Sequence, residues 1–112
     1  PIFTFPETGV YSIVFKMMAY HTDAHRYIGS EIWTTVDNST YGEDAIGECS
    51  IGDSGSSAVM NETVASMIFD VTNTSTHKCK FAQNNVGSAA VVVRGHGSRN
   101  DTYVTFIRLG DT

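Results

Sequence analysis

The sequence predicts an all-β protein, an antiparallel β-sandwich, on three observations. Apolar and polar residues alternate with a period of two in several short runs, which is typical of strands that bury one face. Clusters of Gly, Asn, Asp and Ser separate these runs at the spacing expected of a sandwich or barrel. The gaps are also too short for the crossover helices of a parallel sheet, so neighbouring strands are expected to pair antiparallel.

The clearest strand runs from Val10 to His21. One of its faces is wholly apolar and is predicted to point at the core: Tyr11, Ile13, Phe15, Met17 and Ala19. Its other face is half apolar, which is unusual for a surface in water, and we expect it to pack against another subunit. That second face consists of Val10, Ser12, Val14, Lys16, Met18 and Tyr20.

The remaining strands are shorter and end at polar clusters. The segment from Val64 to Val71 and the segment from His77 to Ala82 are predicted to form a hairpin, because the Asn and Thr side chains of residues 72–76 favour a turn. Residues 52–57 and 95–100 are predicted as loops. The other predicted strands are Glu31–Val36, Ala45–Ile51, Ser88–Arg94 and Tyr103–Leu109.

Length and charge limit the classes of function. The 112 residues suit one domain, residues 1–112, with a single hydrophobic core. The net charge of −5 leaves no basic stripe, so no nucleic-acid partner is expected. No apolar run approaches the ~18 residues of a membrane span, so no membrane insertion is expected. The low charged fraction of 17% fits a protein outside the cytoplasm or within a tight assembly. Because Pro1 is not Met, we expect a fragment of a longer chain.

Two cysteines, Cys49 and Cys79, permit one disulfide bond but do not imply it. Cys79 shares a strand face with Phe81, and we expect both cysteines to be small buried hydrophobic residues or chance neighbours. A bridge between the two cysteines remains the alternative interpretation.

The two ends of the chain resemble a known family. Residues 2–15, IFTFPETGVYSIVF, are similar to the aromatic-Thr-x-Pro-x-x-Gly-x-Tyr opening of the globular heads of complement component one q and of tumour-necrosis-factor-like proteins. Residues 67–81 resemble the hairpin of that family, and residues 100–109 its closing strand. Residues 34–41, 70–78 and 105–112 look like C-terminal heads of marine tailed-phage fibre or virion structural proteins.

This resemblance implies a ten-strand jelly roll that assembles as a homotrimer and binds rather than catalyses. The family has a first strand and a short hairpin before the Phe-x-Pro-x-x-Gly turn, and this chain has no residues for them. We therefore expect the family's first strand to be absent from this fragment, which would leave one sheet with an open edge.

Three side chains after the first long strand are candidate metal ligands. His21, Asp23 and His25 occupy alternate positions, so an extended segment would present them on one side. A polar loop is the alternative interpretation of the same residues.

Aromatic and basic residues near the loops are the candidates for ligand contact, because Trp, Tyr and Arg are enriched in recognition hot spots. The candidates are Tyr27, Trp33, Tyr41, Arg94, His96 and Arg99. Trp33 lies within a predicted strand, so a place in the core is its alternative.

An acidic segment could bind Ca²⁺ through carboxylate oxygens, namely Glu43 and Asp44 with Asp37 upstream. A solvated turn explains the same residues, and no other cofactor is expected. Four Asn-x-Ser/Thr sequons would carry glycans in a secreted eukaryotic protein, whereas in a phage product they are unmodified turn residues. They are Asn38, Asn61, Asn73 and Asn100.

The function predicted from these features is a non-catalytic, homotrimeric head of a virion fibre or appendage. It would lie at the virion surface, contact other virion or fibre subunits and recognise a glycan or protein of the host surface. Gly52-Asp-Ser-Gly55 resembles the serine loop of chymotrypsin-like proteases, but that fold needs a far longer chain, so no enzyme is expected. Two alternatives stay open: a virion decoration or cement module, and a secreted, extracellular complement-like recognition domain.

Overall fold

The structure, a computed structural model, describes residues 1–85 and 91–112 and is built from β-strands and their connections in both ranges. This confirms the predicted all-β class. The predicted segment Ser88–Arg94 lies partly outside the described residues. The strands are β1 Ile2–Thr4, β2 Gly9–His21, β3 His25–Thr35, β4 Gly42–Ile51, β5 Val59–Val71, β6 Lys78–Asn85, β7 Val92–Val93 and β8 Tyr103–Gly110.

The strands form two antiparallel sheets that pack as a sandwich. Sheet A has the order β1-β6-β3-β4, and sheet B has the order β5-β2, with β7 and β8 both on the other side of β2. Three antiparallel pairs are nested along the chain: β3 pairs with β4, β2 with β5, and β1 with β6. The β2–β5 pair belongs to sheet B and the other two pairs belong to sheet A. This connectivity is compatible with a jelly roll.

The structure corrects two expectations. The segments predicted as a hairpin, β5 and β6, lie in different sheets and do not pair with each other. A short strand, β1, also precedes the Pro6 turn, where the sequence predicted none. Ile2–Thr4 pairs with β6 in register, Phe3 opposite Cys79. The Phe3 ring centroid lies 5.3 Å from that of Phe81 and 5.8 Å from that of Phe106. Aromatic packing between the layers therefore keeps this segment on the edge of sheet A.

The core lies between the sheets, and β2 supplies its central row. All five side chains predicted on its inner face are buried: Tyr11, Ile13, Phe15, Met17 and Ala19. Ile32 from β3 and Cys79 from β6 face them from sheet A and are fully buried as well. The period-two pattern thus selects the buried face of β2 over its whole length.

One side of the sandwich is closed by direct contact between β4 and β5, the edge strands of the two sheets. An ideal Cβ built on Gly47 would lie 2.0 Å from the backbone oxygen of Val64. No side chain fits in that space, so glycine allows the two edge strands to approach each other.

We expect Gly47→Ala to destabilise the fold by about 1–3 kcal/mol, the usual cost of overpacking a close contact. The added methyl group meets backbone rather than a movable side chain, so the strands themselves must separate. Urea unfolding followed by circular dichroism measures the free energy of unfolding.

The matched control is Gly52→Ala, because an ideal Cβ on Gly52 meets no atom within 4 Å. It should leave the free energy of unfolding within about 0.5 kcal/mol of the wild type. Equal stability of the two variants would contradict the close β4–β5 contact.

Candidate functional site

The outer face of sheet B is the more apolar of the two outer surfaces. Residues that lie opposite each other in antiparallel strands share a face, and the register places Ile68, Ser12 and Ile107 in one outward row. A second row joins Met60, Tyr20 and Val92. We call this surface the apolar face; its large apolar members are Val10, Val14, Met18, Tyr20, Met60, Val64, Ile68, Val92, Tyr103 and Ile107.

The outer strands of this face are more exposed than its centre. Ile68 is 60% exposed and Ile107 is 54% exposed, whereas Val14, Met18 and Tyr20 on β2 are half-buried between them. The sequence interpretation predicted a half-apolar second face on β2, and the structure confirms it. What packs against that face stays a prediction.

An ion pair interrupts the apolar face near its middle. Lys16 Nζ lies 2.9 Å from Glu62 Oε2, and the same nitrogen lies 5.7 Å from the ring centroid of Tyr103. The hydrogen bond to Glu62 raises the pKa of Lys16 above its ordinary value. These two charges cancel locally, whereas the exposed Asp70, opposite Val10 near one end of the face, adds a negative charge.

The outer face of sheet A carries a different cluster, which we call the tryptophan patch: Glu31, Trp33, Tyr41 and Lys80. Trp33 lies opposite Lys80 in the β3–β6 register. Lys80 Nζ lies 5.4 Å from the Trp33 ring centroid and 4.4 Å from that of Tyr41, within the range of cation–π contact. The structure therefore brings together two of the six predicted ligand-contact residues and adds a lysine to them.

The polar atoms of both aromatic side chains point into the protein. Trp33 Nε1 donates a 2.7 Å hydrogen bond to Oε2 of Glu31, a side chain that is only 7% exposed. The Tyr41 hydroxyl is buried and has no partner among the described residues, although Tyr41 as a whole is half-buried. What the two side chains present outward is therefore ring surface.

The turn before Tyr41 is held by one carboxylate. Asp37 Oδ1 accepts hydrogen bonds from Thr40 N, Ser39 N and Thr35 Oγ1, at 2.7, 2.8 and 2.7 Å. Asn38 adopts a left-handed φ of 62° in the same turn. The hydrogen bonds from Thr40, Thr35 and Ser39 lower the pKa of Asp37 well below its ordinary 3.8.

The candidate calcium ligands do not converge. Asp37 is engaged in its own turn, and Glu43 lies opposite Trp33 on the outer face of sheet A. Asp44 sits at the irregularity in the β3–β4 register and bonds to Thr34 Oγ1 instead. The bulge directs two carboxylates that are adjacent in sequence to different partners.

The candidate metal ligands lie at the opposite end of the sandwich. The His21 and His25 rings pack edge to face with centroids 4.5 Å apart, and His25 Nε2 is buried without a partner within the described chain. His21 Nδ1 instead accepts a hydrogen bond from Asp23 N, and the Asp23 carboxylate is 3.9 Å away and largely exposed. Across residues 1–85 and 91–112, no three His, Cys, Asp or Glu side chains are grouped to hold a metal ion.

The basic loop predicted to contact ligand is tied to one buried aspartate. Asp101 is only 5% exposed. Its Oδ1 accepts a 2.8 Å hydrogen bond from Arg99 Nε, and its Oδ2 lies 3.1 Å from Arg94 Nε. The hydrogen bond from Arg99, with the charges of both arginines, lowers the pKa of Asp101. His96 Nδ1 accepts from Ser98 N. The arginines therefore share a counter-charge, which makes them poorer anion ligands.

The remaining predicted sites are separate from these clusters. Tyr27 is a half-buried residue of β3. The four sequon asparagines are all exposed, but Asn61 Nδ2 donates to Ser50 O at 2.7 Å and Asn73 Oδ1 accepts from Ser75 N at 2.9 Å. These bonds assign a local structural role to two of the asparagines.

The two thiols are free. Cys79 is fully buried, and burial raises its pKa to about 12, so the thiolate is absent at neutral pH. Burial, followed by the charge of Glu62, raises the pKa of Cys49 as well. Cys79 is therefore an unreactive thiol, whereas Cys49 is partly exposed.

Sequence reasoning missed Lys80 and Glu31. A weak signal was present, since Lys and Glu are less common in strands than β-branched and aromatic residues. What was lacking was the β3–β6 register that places Lys80 beside Trp33.

No protein-family model matches the chain, and neither a curated protein nor a solved structure matches it. In the part of the chain that the structure describes, no helix is long and apolar enough to cross a membrane.

The depressed pKa of Asp37 predicts an acid-sensitive fold. A carboxyl whose pKa is lower in the folded state binds fewer protons than in the unfolded chain, so it stabilises the fold above pH 3.8. This stabilisation should diminish as the pH falls below that value. Asp37→Asn should lower the free energy of unfolding at pH 7, and its deficit relative to the wild type should narrow below about pH 4.

Urea unfolding at a series of pH values measures this difference. Glu48→Gln, which neutralises an exposed carboxylate on β4, is the control and should follow the wild type at neutral pH. A deficit of Asp37→Asn that stays constant down to pH 2.5 would count against the role of the Asp37 charge.

Proposed function

We propose that this chain is a non-catalytic binding head that assembles as a homotrimer through the apolar face and recognises a host-surface glycan or protein through its other surfaces. The setting that fits best is the head of a virion fibre or appendage. The single observation that carries the proposal is the apolar face.

The apolar side chains of this face are concentrated and not scattered. Of the ten large hydrophobic side chains that are exposed within the described residues, six lie on it: Met60, Val64, Ile68, Val92, Tyr103 and Ile107. Single exposed apolar residues are normal, but several on one face mark an interaction surface, even though Glu62 and Ser66 lie between those of β5. Burying one such side chain contributes about 1.5–3 kcal/mol, so covering the group would drive association.

A second copy of the chain is the occupant that suits this face best. The Lys16–Glu62 pair leaves the middle of the face without net charge, so an apolar surface of a neighbouring copy can pack there. In a closed trimer that contact joins two different patches of the chain. The number of copies rests on the resemblance to the complement-like heads, which are homotrimers. The other outer face and the loops then remain available to bind a ligand.

Ile68→Lys should dissociate the trimer. It places a charge at the most exposed apolar position of the apolar face, and burying an unpaired ammonium would cost more than the association gains. Sedimentation velocity and native mass spectrometry measure the assembly: the wild type is expected at three times the 12.2 kDa chain mass and the variant at one.

Val36→Lys is the matched control, because Val36 is also 60% exposed but lies in the turn after β3 and outside sheet B. It should leave the trimer intact. A wild-type chain that sediments as a monomer at micromolar concentration, or two variants that behave alike, would contradict assembly through the apolar face.

A further inference from the structure

We propose that the tryptophan patch is a binding site for an acidic saccharide, with Trp33 and Tyr41 as the stacking surface and Lys80 as the cation that pairs with the carboxylate or sulfate of the sugar. This inference rests on the recognition role proposed above and names its ligand class and its site. It does not depend on how many copies assemble.

The two aromatic rings are oriented so that their carbon surface can meet a ligand. Sugar rings pack their C–H faces on aromatic side chains, which needs exposed ring surface and not exposed polar atoms. Trp33 is half-buried with its N–H bonded to Glu31, and Tyr41 is half-buried with its hydroxyl turned inward. Both side chains therefore present carbon surface to a ligand.

Hydrogen bonds hold the indole of Trp33 and the turn that leads into Tyr41. The Glu31 carboxylate, 7% exposed, fixes the indole through a 2.7 Å bond. In the turn that ends immediately before Tyr41, Asp37 Oδ1 accepts a 2.7 Å hydrogen bond from Thr40 N. A site whose side chains are already ordered loses less entropy when a ligand binds.

Lys80 supplies the positive charge of the tryptophan patch. Among the described residues, Lys16, Arg94, Arg99 and Arg108 have carboxylate partners within 4 Å, whereas Arg26, Lys78 and Lys80 have none. Lys80 has no such partner there and lies against the two rings instead. Its ammonium is thus a cation without a counter-ion at the edge of an aromatic surface, and it would gain most from an anionic group on the ligand.

The charges around the tryptophan patch also determine which way the acidic group of a bound sugar points. Lys78 and Lys80 lie on the β6 side of β3, whereas Glu43 and Glu48 lie on the β4 side. An anionic group is attracted to the lysine side and repelled from the carboxylate side. The carboxylates can instead accept hydrogen bonds from sugar hydroxyls, so the acidic group should face β6.

The test uses the fact that Trp33 is the only tryptophan in the chain. Its indole N–H gives a single NMR resonance, which is titrated with 3′-sialyllactose, with 3′-sulfolactose and with neutral lactose. We expect at least one acidic probe to shift this resonance in a saturable manner, with a Kd at least tenfold below that of lactose.

Lys80→Gln should raise the Kd for the acidic probe at least tenfold and leave lactose unchanged. Lys78→Gln removes the same charge from the same face of the same strand, two positions away, and should change the Kd less than about twofold. Tyr41→Leu should also weaken binding tenfold. Tyr41→Phe, which removes only a buried hydroxyl without a partner, should not.

Three outcomes would overturn the inference: no saturable shift with either acidic probe, equal affinity for lactose, or equal effects of the two lysine substitutions. Sedimentation of the same samples reports the assembly independently. A wild-type trimer that ignores both acidic probes would refute the saccharide site alone, whereas a monomer that binds them would refute only the trimer.

Discussion

The structure depends on the alternation of β2, the central strand of sheet B. Its thirteen residues pair with β5 without a break in register, from Gly9 opposite Val71 to His21 opposite Val59. Because successive side chains of a strand point to opposite faces, β2 supplies both the middle of the core and the middle of the apolar face. A slip of one residue would exchange the two rows and bury Lys16, so the register is strongly specified.

The two outer surfaces of the sandwich differ in ways that suggest separate roles. The apolar face is broad and without net charge at its middle, whereas the outer face of sheet A concentrates aromatic rings and unbalanced charges around Trp33. The protein can bury one outer surface in self-association and keep the other accessible, because the sheets face in opposite directions. Closure at Gly47 and the aromatic contacts of Phe3 hold both surfaces on one rigid body.

The candidate site was only partly predictable, and the reason differs from residue to residue. Trp33 and Tyr41 were recognisable as contact residues by their chemical type. Lys80 was not, because its role comes from a neighbour on another strand. Arg94 and Arg99 had the right chemical type as well, but Asp101 pairs with both of them, which their positions in the sequence did not reveal.

By itself the sequence determined the all-β class, the inward row of β2, and the burial of Cys79, because a period of two is a local property of the chain. Only the tertiary structure decided which strands meet: β1 on β6, β6 beside β3, and β4 against β5. These pairings depend on contacts between residues that are far apart in the chain. Aromatic packing of Phe3 on Phe81 and the close approach at Gly47 favour the observed pairings over the many others that the strands could form. The cluster around Trp33 therefore exists only in the folded chain.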